Sequence, residues 1–399
     1  MTGFLVGLAL KNLFRNVRRN LISGVAVIWG VALMILGYGF IDGLDENIIR
    51  TEIDTLSGHV MLRPQGYPES SLSAPVDMLE PLPQELLAGL AEHTWTQRLR
   101  FDVRLVSGPE SIRAMGVGFE PLRDPQVFPR DGYDLKGAWP EQRGLVVGSR
   151  LARLLEVGPG EVVVLQVRTS AGSINALSIE ISGVVTTHNP AIDNFVVLLP
   201  LDQAMSLVQA PGPSEVSIRL PRRGQADAVA AQLDGAWAAH TYMDAARDMI
   251  ALNVARRKAL GFLVLMIMAI AATGIANTVI MATYERVREV GALAAMGMTP
   301  GQVRAMFLLE GAALGLIAGT LGAALGAGAN YYFSTSGVSL DALAESGSAV
   351  TFSTTLYSAF RWGPVLGGLA FGALVAALAS IYPANHAANL DPAVAVRTD

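Results

Sequence analysis

The five histidines, His59, His93, His188, His240 and His386, are the side chains best suited to binding a metal or moving a proton near neutral pH. They lie far apart, with no H-E-x-x-H pair or other ligand spacing, and read as surface or cap residues. Nucleophilic chemistry fares no better: the chain has no cysteine, and it lacks a G-x-S-x-G elbow. A phosphate-binding loop needs Gly-Lys-Ser/Thr, yet the only lysines are Lys11, Lys136 and Lys258, none in that setting. The sequence therefore predicts no catalytic residue, no metal site, no cofactor of its own and no ATP hydrolysis by this chain alone. The formal charge of −5 and the absence of a basic, aromatic-interleaved patch give no support to a nucleic-acid partner.

The remaining charged constellation is "TYERVREVGALAAMGMTPGQ", Thr283 to Gln302. Glu285, Arg286, Arg288 and Glu289 crowd one end of a short run of small residues that has a long apolar stretch on either side. Paired charges suit contact with a protein surface, and the small residues permit close approach.

What positions this turn is a membrane. The chain is 51% hydrophobic and only 16% charged, too apolar for a soluble protein of 399 residues. Leu21–Ile41, Ala259–Tyr284, Gly311–Leu340 and Trp362–Asn385 contain no Asp, Glu, Lys, Arg or His, and each reaches the roughly 20 residues that cross the hydrocarbon core. The first run is too long for a signal-peptide core, and no small-x-small pattern follows it, so it reads as a retained helix. Lys11, Arg15, Arg18 and Arg19 precede span one, and Arg286, Arg288 and Arg304 separate spans two and three. No Lys or Arg occurs from Ser334 to Phe360. The positive-inside rule then places both termini and the 283–306 loop in the cytoplasm. Arg256, Arg257 and Lys258, just outside span two, argue the other way, but long translocated domains largely escape the rule.

Between spans one and two lies a long excursion with a different texture. Strand-like runs such as "HVMLRP", "EVVVLQVRT" and "EVSIRL" alternate with helix-like pieces such as "PQELLAGLAEH" and "GQADAVAAQLDGAWA", which predicts a mixed α+β domain. In "GSRLARLLEVGPGEVVVL", Ser149 is expected to cap a short helix and Gly158-Pro159-Gly160 to turn the chain into a strand. From about Tyr242 to Thr283 the pattern predicts one unbroken helix of about 60 Å, twice the hydrocarbon thickness.

Span three carries Gly311, Gly315 and Gly319, then Gly322 and Gly326, at four-residue spacing. That stripe lets a neighbouring backbone approach closely; Gly368 and Gly372 repeat it weakly in span four. Enlarging Gly315 is expected to push the neighbouring helix away, and Gly326, nearer the external end, is expected to matter less than Gly315. Glu310 at the inner edge of span three is expected to pair with a basic group or reach the headgroups. The amino-terminal "LALKNLFRNVRRN" is amphipathic and basic, suited to the headgroup region.

Together these features resemble the FtsX-like permeases of ABC transporters, the mechanotransmission type with four membrane helices and a large periplasmic domain after the first. "YERVREVGALAAMGMTPGQVRAMFLLEG" is similar to the family's E-R-x-R-E-I-G-x-L-R-A-x-G stretch, and "YPANHAANLDPAVAVR" to its P-A-x-x-A-x-x-x-x-P-x-x-A-L-R tail. Ala294 stands where the family motif has a basic residue. "SGHVMLRP", "GLVVGSRLARLLEVGPGEVVVL" and "AIDNFVVLLPLDQAMSLV" look most like the lipoprotein-releasing (Lol-type) members.

The resemblance implies a polytopic α-helical membrane protein of the bacterial inner membrane. Its expected parts are an amphipathic cytoplasmic helix (1–20), span one (21–44), a periplasmic α+β domain (45–241), a stalk with span two (242–283), a cytoplasmic coupling helix (284–306), span three (307–333), a periplasmic loop (334–360), span four (361–382) and a cytoplasmic tail (383–399). It implies that Glu285, Arg286, Arg288, Glu289, Gly297, Thr299 and Pro300 sit in a groove of a separate ATPase dimer, which holds the ATP and Mg. A second permease, identical or homologous, and a periplasmic carrier complete the implied assembly. Lipoprotein extraction is the expected activity; export of a small molecule or peptide, and a division-type signalling scaffold, are the alternatives. Acyl chains leaving the outer leaflet need an apolar cleft, for which the outer halves of spans one and two offer Met34, Leu36, Phe40 and Ile41 against Phe262, Leu263 and Met266.

Overall fold

The computed structural model describes residue 7 and residues 17–68, 74–187, 189–285, 287–339 and 355–389. Most of the amino-terminal amphipathic stretch, Arg286, His188, most of the 334–360 loop and the last ten residues lie outside that set. The chain divides into two compact units: Met1–Leu44, Leu252–Val338 and Leu356–Asp399 form one, Asp45–Ala251 with Ser339–Thr355 the other.

Among the described residues, four helices are long and apolar enough to cross a membrane. Span one is helical over Val17–Thr51 and continues as a single π-turn, Glu52–Leu56, well past the expected end at 44. Only Gly43 interrupts a run of helix-compatible residues there, and the stop comes at Gly58, whose φ of +73° is left-handed. The expected unbroken helix from Tyr242 is in fact a short helix, Tyr242–Ala245, followed by Arg247–Glu285. Thr241 and Asp244 cap the short piece reciprocally, and Ala246 then leaves helical geometry with ψ near 0°. Span three is Pro300–Ser336. Span four, Trp362–Ala379, gives way at Ser380 to a separate tail helix, Ile381–Ala388. Pro383 explains the break, because in a continuous helix its ring would clash with the carbonyl of Ala379.

Span three packs on two neighbours through its glycines. A Cβ on Gly311 would run into the Ser380 hydroxyl, and one on Gly315 into the Ala376 methyl of span four. A Cβ on Gly322 would lie 2.6 Å from the Ile28 carbonyl, and one on Gly326 2.9 Å from Ala32 Cα, both in span one. Gly319 is looser, with its nearest neighbour at 3.4 Å. Gly326, expected to matter less than Gly315, also sits against helix backbone, with 2.9 Å to Ala32 Cα beside the closer approach to the Ala376 methyl at Gly315. Span two buries Val264, Met268, Ala271, Ile275 and Val279, a stripe at three- to four-residue spacing.

The second unit is α+β; among its described residues ten strands pair in one sheet: β1 Val60–Pro64, β2 Thr94–Ser107, β3 Glu110–Phe119, β4 Asp134–Gly137, β5 Leu145–Gly148, β6 Val162–Arg168, β7 Ile174–Thr186, β8 Val196–Pro200, β9 Glu215–Arg219 and β10 Trp237–Thr241. Six of them close on themselves in the order β2, β3, β8, β5, β7, β6 and back to β2. Phe101, Val103, Leu105, Leu145, Val147, Leu165, Ile181 and Leu199 belong to the buried core of this barrel. A Cβ on Gly116 of β3 would strike the Phe101 ring, so the bare backbone there makes room for the phenyl group. The first half of β2 runs beyond the barrel and pairs with β9, then β1 and β10. Helices Gln84–Leu90 and Ala226–Leu233 cover this part of the sheet over a core containing Trp237. The helix at 149 starts as expected, but Gly148 occupies the N-cap and no side chain caps it. Ser149 is already the first helical residue, one position too late to serve.

Gly315→Leu and Gly326→Leu should each lower the thermal unfolding midpoint of the detergent-solubilised chain by about 5 °C, as overpacking against backbone does. Gly319→Ala should leave it unchanged, and circular dichroism on the three variants reads the difference.

Candidate functional site

The elbow between spans two and three is built on the short helix Val287–Ala295. Its Val290 and Gly291 are buried, and Val290 shares a core with Val303, Met306 and Phe307 of span three. Glu285, Arg288 and Glu289 lie on exposed positions, so the elbow is an amphipathic ridge, apolar face down and charged face outward. Gly297 takes φ +99°, open to side-chain-free backbone only, and turns the chain back. Thr299 caps span three and is capped in return by Gln302, whose Oε1 accepts from the Thr299 amide at 2.8 Å, with Pro300 at the first helical position. Met296, 77% exposed, stands at the tip. The side chain of Ala294, where the family motif is basic, lies outside the described set.

The tail helix joins this end of the bundle. Pro383 is buried, and Ala384 and Ala387 belong to the same core as Val290 and Phe307. The His386 ring meets Tyr284 edge-on at 5.9 Å, with the tyrosine hydroxyl 3.4 Å from Nε2. His386 gave no signal as a lone histidine; its neighbour lies 102 residues away.

A second constellation, which sequence reasoning missed, lies in the α+β unit. Glu215 of β9 is wholly buried and takes Arg63 Nη2 at 2.9 Å and Arg100 Nε at 2.8 Å. Burial pushes its carboxyl up, but Arg100 and Arg63 outweigh this and hold it below the usual carboxylate range. Beside it Arg98 Nε donates to Asp124 at 2.7 Å, and Arg130 approaches the same carboxylate at 3.3 Å. Thus fixed, Arg98 Nη1 donates to the Thr55 carbonyl at 2.9 Å and Arg100 Nη2 to the Leu56 carbonyl at 2.6 Å. Those are the last carbonyls of span one's helical extension, the negative end of its dipole. A cavity of about 50 Å³ beside them is walled by Arg98, Arg100, Phe128, Tyr133 and Trp139. The alternation of Arg98 and Arg100 in "QRLRF" was the available signal: two cations on one face of a strand must meet something.

Within a single chain the residues expected to wall an acyl cleft do not face one another across an opening. A Cβ on Gly30 of span one would lie 2.9 Å from Met268 Cε, and one on Gly37 2.7 Å from Leu260 Cδ2. Spans one and two of a single chain are thus in direct contact. Ile41 is buried, Met34 and Leu36 are half-buried, and Phe40 stacks on Phe333 of span three with centroids 5.6 Å apart. Because Leu260, Val264 and Met268 take the inner face, helical periodicity turns Phe262, Leu263 and Met266 to the other side, where they are exposed. Among the described residues no group of three His, Asp or Glu side chains could hold a metal.

A model described as a MacB-like periplasmic core domain matches residues 21–236, and one described as FtsX-like permease C-terminal matches residues 261–392. The chain belongs to the FtsX-like family of ABC transporter permeases, with a MacB-like core domain between its first two spans. It is similar to the ABC transporter permease YknZ of Bacillus subtilis, 35% identical over 124 residues, which are 31% of this chain and 27% of YknZ. The lipoprotein-releasing system transmembrane protein LolC of Xylella fastidiosa (strain Temecula1) is 21% identical over 396 residues, 94% of this chain and 92% of LolC. A crystal structure of the extracellular domain of YknZ covers 46% of this chain and 98% of that domain at 14% identity, with a TM-score of 0.32. The two family matches and the four apolar helices make the chain a membrane permease with an extracytoplasmic domain.

His59 ties the end of this domain's first connection to β9: its Nδ1 accepts the Leu220 amide at 3.2 Å. Burial, with Arg219 and Arg223 nearby, holds its pKa below the usual value of 6.5. The folded imidazole therefore stays neutral where the unfolded one gains a proton, and stability is full above pH 6.5 and declines as pH falls below it, by at most about 1.4 kcal/mol per pH unit. The unfolding midpoint of the extracytoplasmic transition should fall between pH 7.5 and 5.5. His59→Gln should flatten that dependence, as read by scanning calorimetry.

Proposed function

We propose that this permease is the membrane subunit of an inner-membrane machine that extracts lipoproteins by mechanotransmission. The observation that carries the reading is the similarity to LolC along 94% of the chain. A separate ATPase dimer, binding ATP and Mg, docks on the elbow; the exposed Glu285, Arg288 and Glu289, with Arg286 in the same sequence run and the Gly297, Thr299, Pro300 turn, suit a groove in a soluble partner. Both termini and the elbow face the cytoplasm, in keeping with Arg288 and Arg304 at the elbow and the absence of basic residues from Ser334 to Phe360. Closure of the ATPase displaces the elbow, and the long helices of spans one and two carry the displacement outward. The hydrogen bonds from Arg98 and Arg100 to the end of span one's helix give that motion a fixed point of attachment in the barrel and its neighbouring sheet.

The acyl chains of the cargo meet the outward face of span two. Phe262, Leu263 and Met266 leave an apolar surface uncovered by this chain, and a second permease, identical or homologous, completes the cleft. Each CH₂ kept from water contributes about 0.8 kcal/mol, so acyl chains supply most of the binding energy. A periplasmic carrier receives the released protein. Export of a small molecule or peptide is the second reading, favoured by the higher local identity to YknZ, 35% against 21% for LolC.

Two experiments decide. Replacing Arg288 by Glu and Glu289 by Arg together should reduce copurification of the ATPase at least about tenfold, the loss expected when buried interface charges are reversed; unchanged assembly and transport would remove the elbow from the docking surface. A photo-crosslinking residue at Phe262 should capture acylated proteins and lose them when acylation is blocked. Crosslinks confined to phospholipid, with transport of a soluble compound, would establish the exporter instead.

A further inference from the structure

The outer ends of three spans meet in one ion cluster. Asp42 follows the charge-free run of span one, Arg257 precedes that of span two, and Arg361 immediately precedes span four. Asp42 is 5% exposed; its two oxygens take Arg257 Nη2 at 2.5 Å and Arg361 Nε at 3.8 Å. Two guanidinium groups thus share one carboxylate. Arg257 pairs closely and lies near the Tyr38 ring, 6.0 Å from its centroid. Arg361 is held loosely and 61% of its side chain is exposed; among the described residues it has no other ion pair or hydrogen bond. Lys258, next along span two, is exposed as well.

This cation stands in a belt of aromatic rings. Tyr331 meets Phe360 edge-on at 6.1 Å, and Phe360 meets Trp362 at 5.3 Å. Tyr331, Tyr332 and Trp362 are 62%, 60% and 67% exposed. Amphipathic rings in this number at the ends of apolar helices mark the headgroup level of a bilayer. A basic residue surplus to its carboxylate partner, at that level, between helices, is the arrangement that receives a lipid headgroup.

We propose that Arg361, with Arg257 and Asp42 behind it, is a binding site for the phosphate of an anionic glycerophospholipid in the outer leaflet, of the phosphatidylglycerol type. The basic triplet at Arg256–Lys258, which runs against the positive-inside pattern, thereby acquires a use: one arginine braces Asp42, and Arg361 is left to hold a lipid against the bundle. The site is separate from the outward apolar face of span two and does not depend on the cargo.

The test uses the full chain in nanodiscs containing equal phosphatidylglycerol and phosphatidylcholine, with lipids retained after release from the disc counted by native mass spectrometry. Wild type should retain phosphatidylglycerol in preference. Arg361→Gln should lower that retention about fivefold, the effect of one basic group at an anionic surface, with an unfolding midpoint equal to wild type because the Asp42–Arg257 pair is intact. Arg361→Lys should recover most of the retention. Equal retention of the two lipids by wild type, or undiminished retention by Arg361→Gln, would overturn the proposal. So would displacement of the lipid by 10 mM inorganic phosphate, since the site would then be one for a soluble anion. Arg257→Gln is the less informative variant, because it strands Asp42.

Discussion

The α+β unit depends on a buried carboxylate with two arginines. Glu215 has no contact with water, so its charge is tolerable only because Arg63 and Arg100 both reach it. Arg100 also donates to the Leu56 carbonyl and Arg63 to the Pro68 carbonyl, while Arg98, held by Asp124, donates to the Thr55 carbonyl. Thr55 and Leu56 are the electronegative end of a helix that began in the membrane. Remove the Glu215 carboxylate and Arg63 and Arg100 lose the partner that aims them; remove the helix end and Arg98 and Arg100 lose the carbonyls they donate to. The π-turn at Glu52–Leu56 is where the helix accommodates this meeting.

In the membrane unit the corresponding constraint is steric. Apolar helices gain little from hiding one another from lipid, so their contacts rest on how closely backbones approach. Span three meets span four through Gly311 and Gly315 and span one through Gly322 and Gly326, so its glycines serve two contacts at different heights. Gly30 and Gly37 do the same for span one against span two. The outward face of span two is what remains after these contacts are made, and it is broad, apolar and uncovered.

At the elbow, local rules do most of the arranging. A reciprocal cap at Thr299, a proline at the first helical position and a glycine in left-handed geometry set where span three starts. Val290 pins the short helix to the base of span three, and the tail helix packs into the same core, bringing His386 to Tyr284. A force applied to the elbow therefore reaches the end of span two, the start of span three and the helix that follows the end of span four through packed contacts.

The sequence by itself determined four apolar spans, the charged elbow with its cap, the strand-rich excursion and the absence of a phosphate-binding loop. These depend on composition and on neighbours within a few residues, through hydrophobic run length, capping and backbone preference. Helix ends were legible only in part: the stop at Gly58 lies beyond the last apolar run, and the break at Ser380 is set by a proline three residues on. Tertiary structure alone decided which glycine meets which helix, that Phe262, Leu263 and Met266 face away from span one, and that six strands close into a barrel. It also decided the fate of Arg98 and Arg100. Their alternation announced a shared face, but Glu215 lies 115 residues from Arg100, and no local pattern encodes a partner at that distance. Pairing across such separations is settled only when the sheet brings the charges together and water is excluded around them.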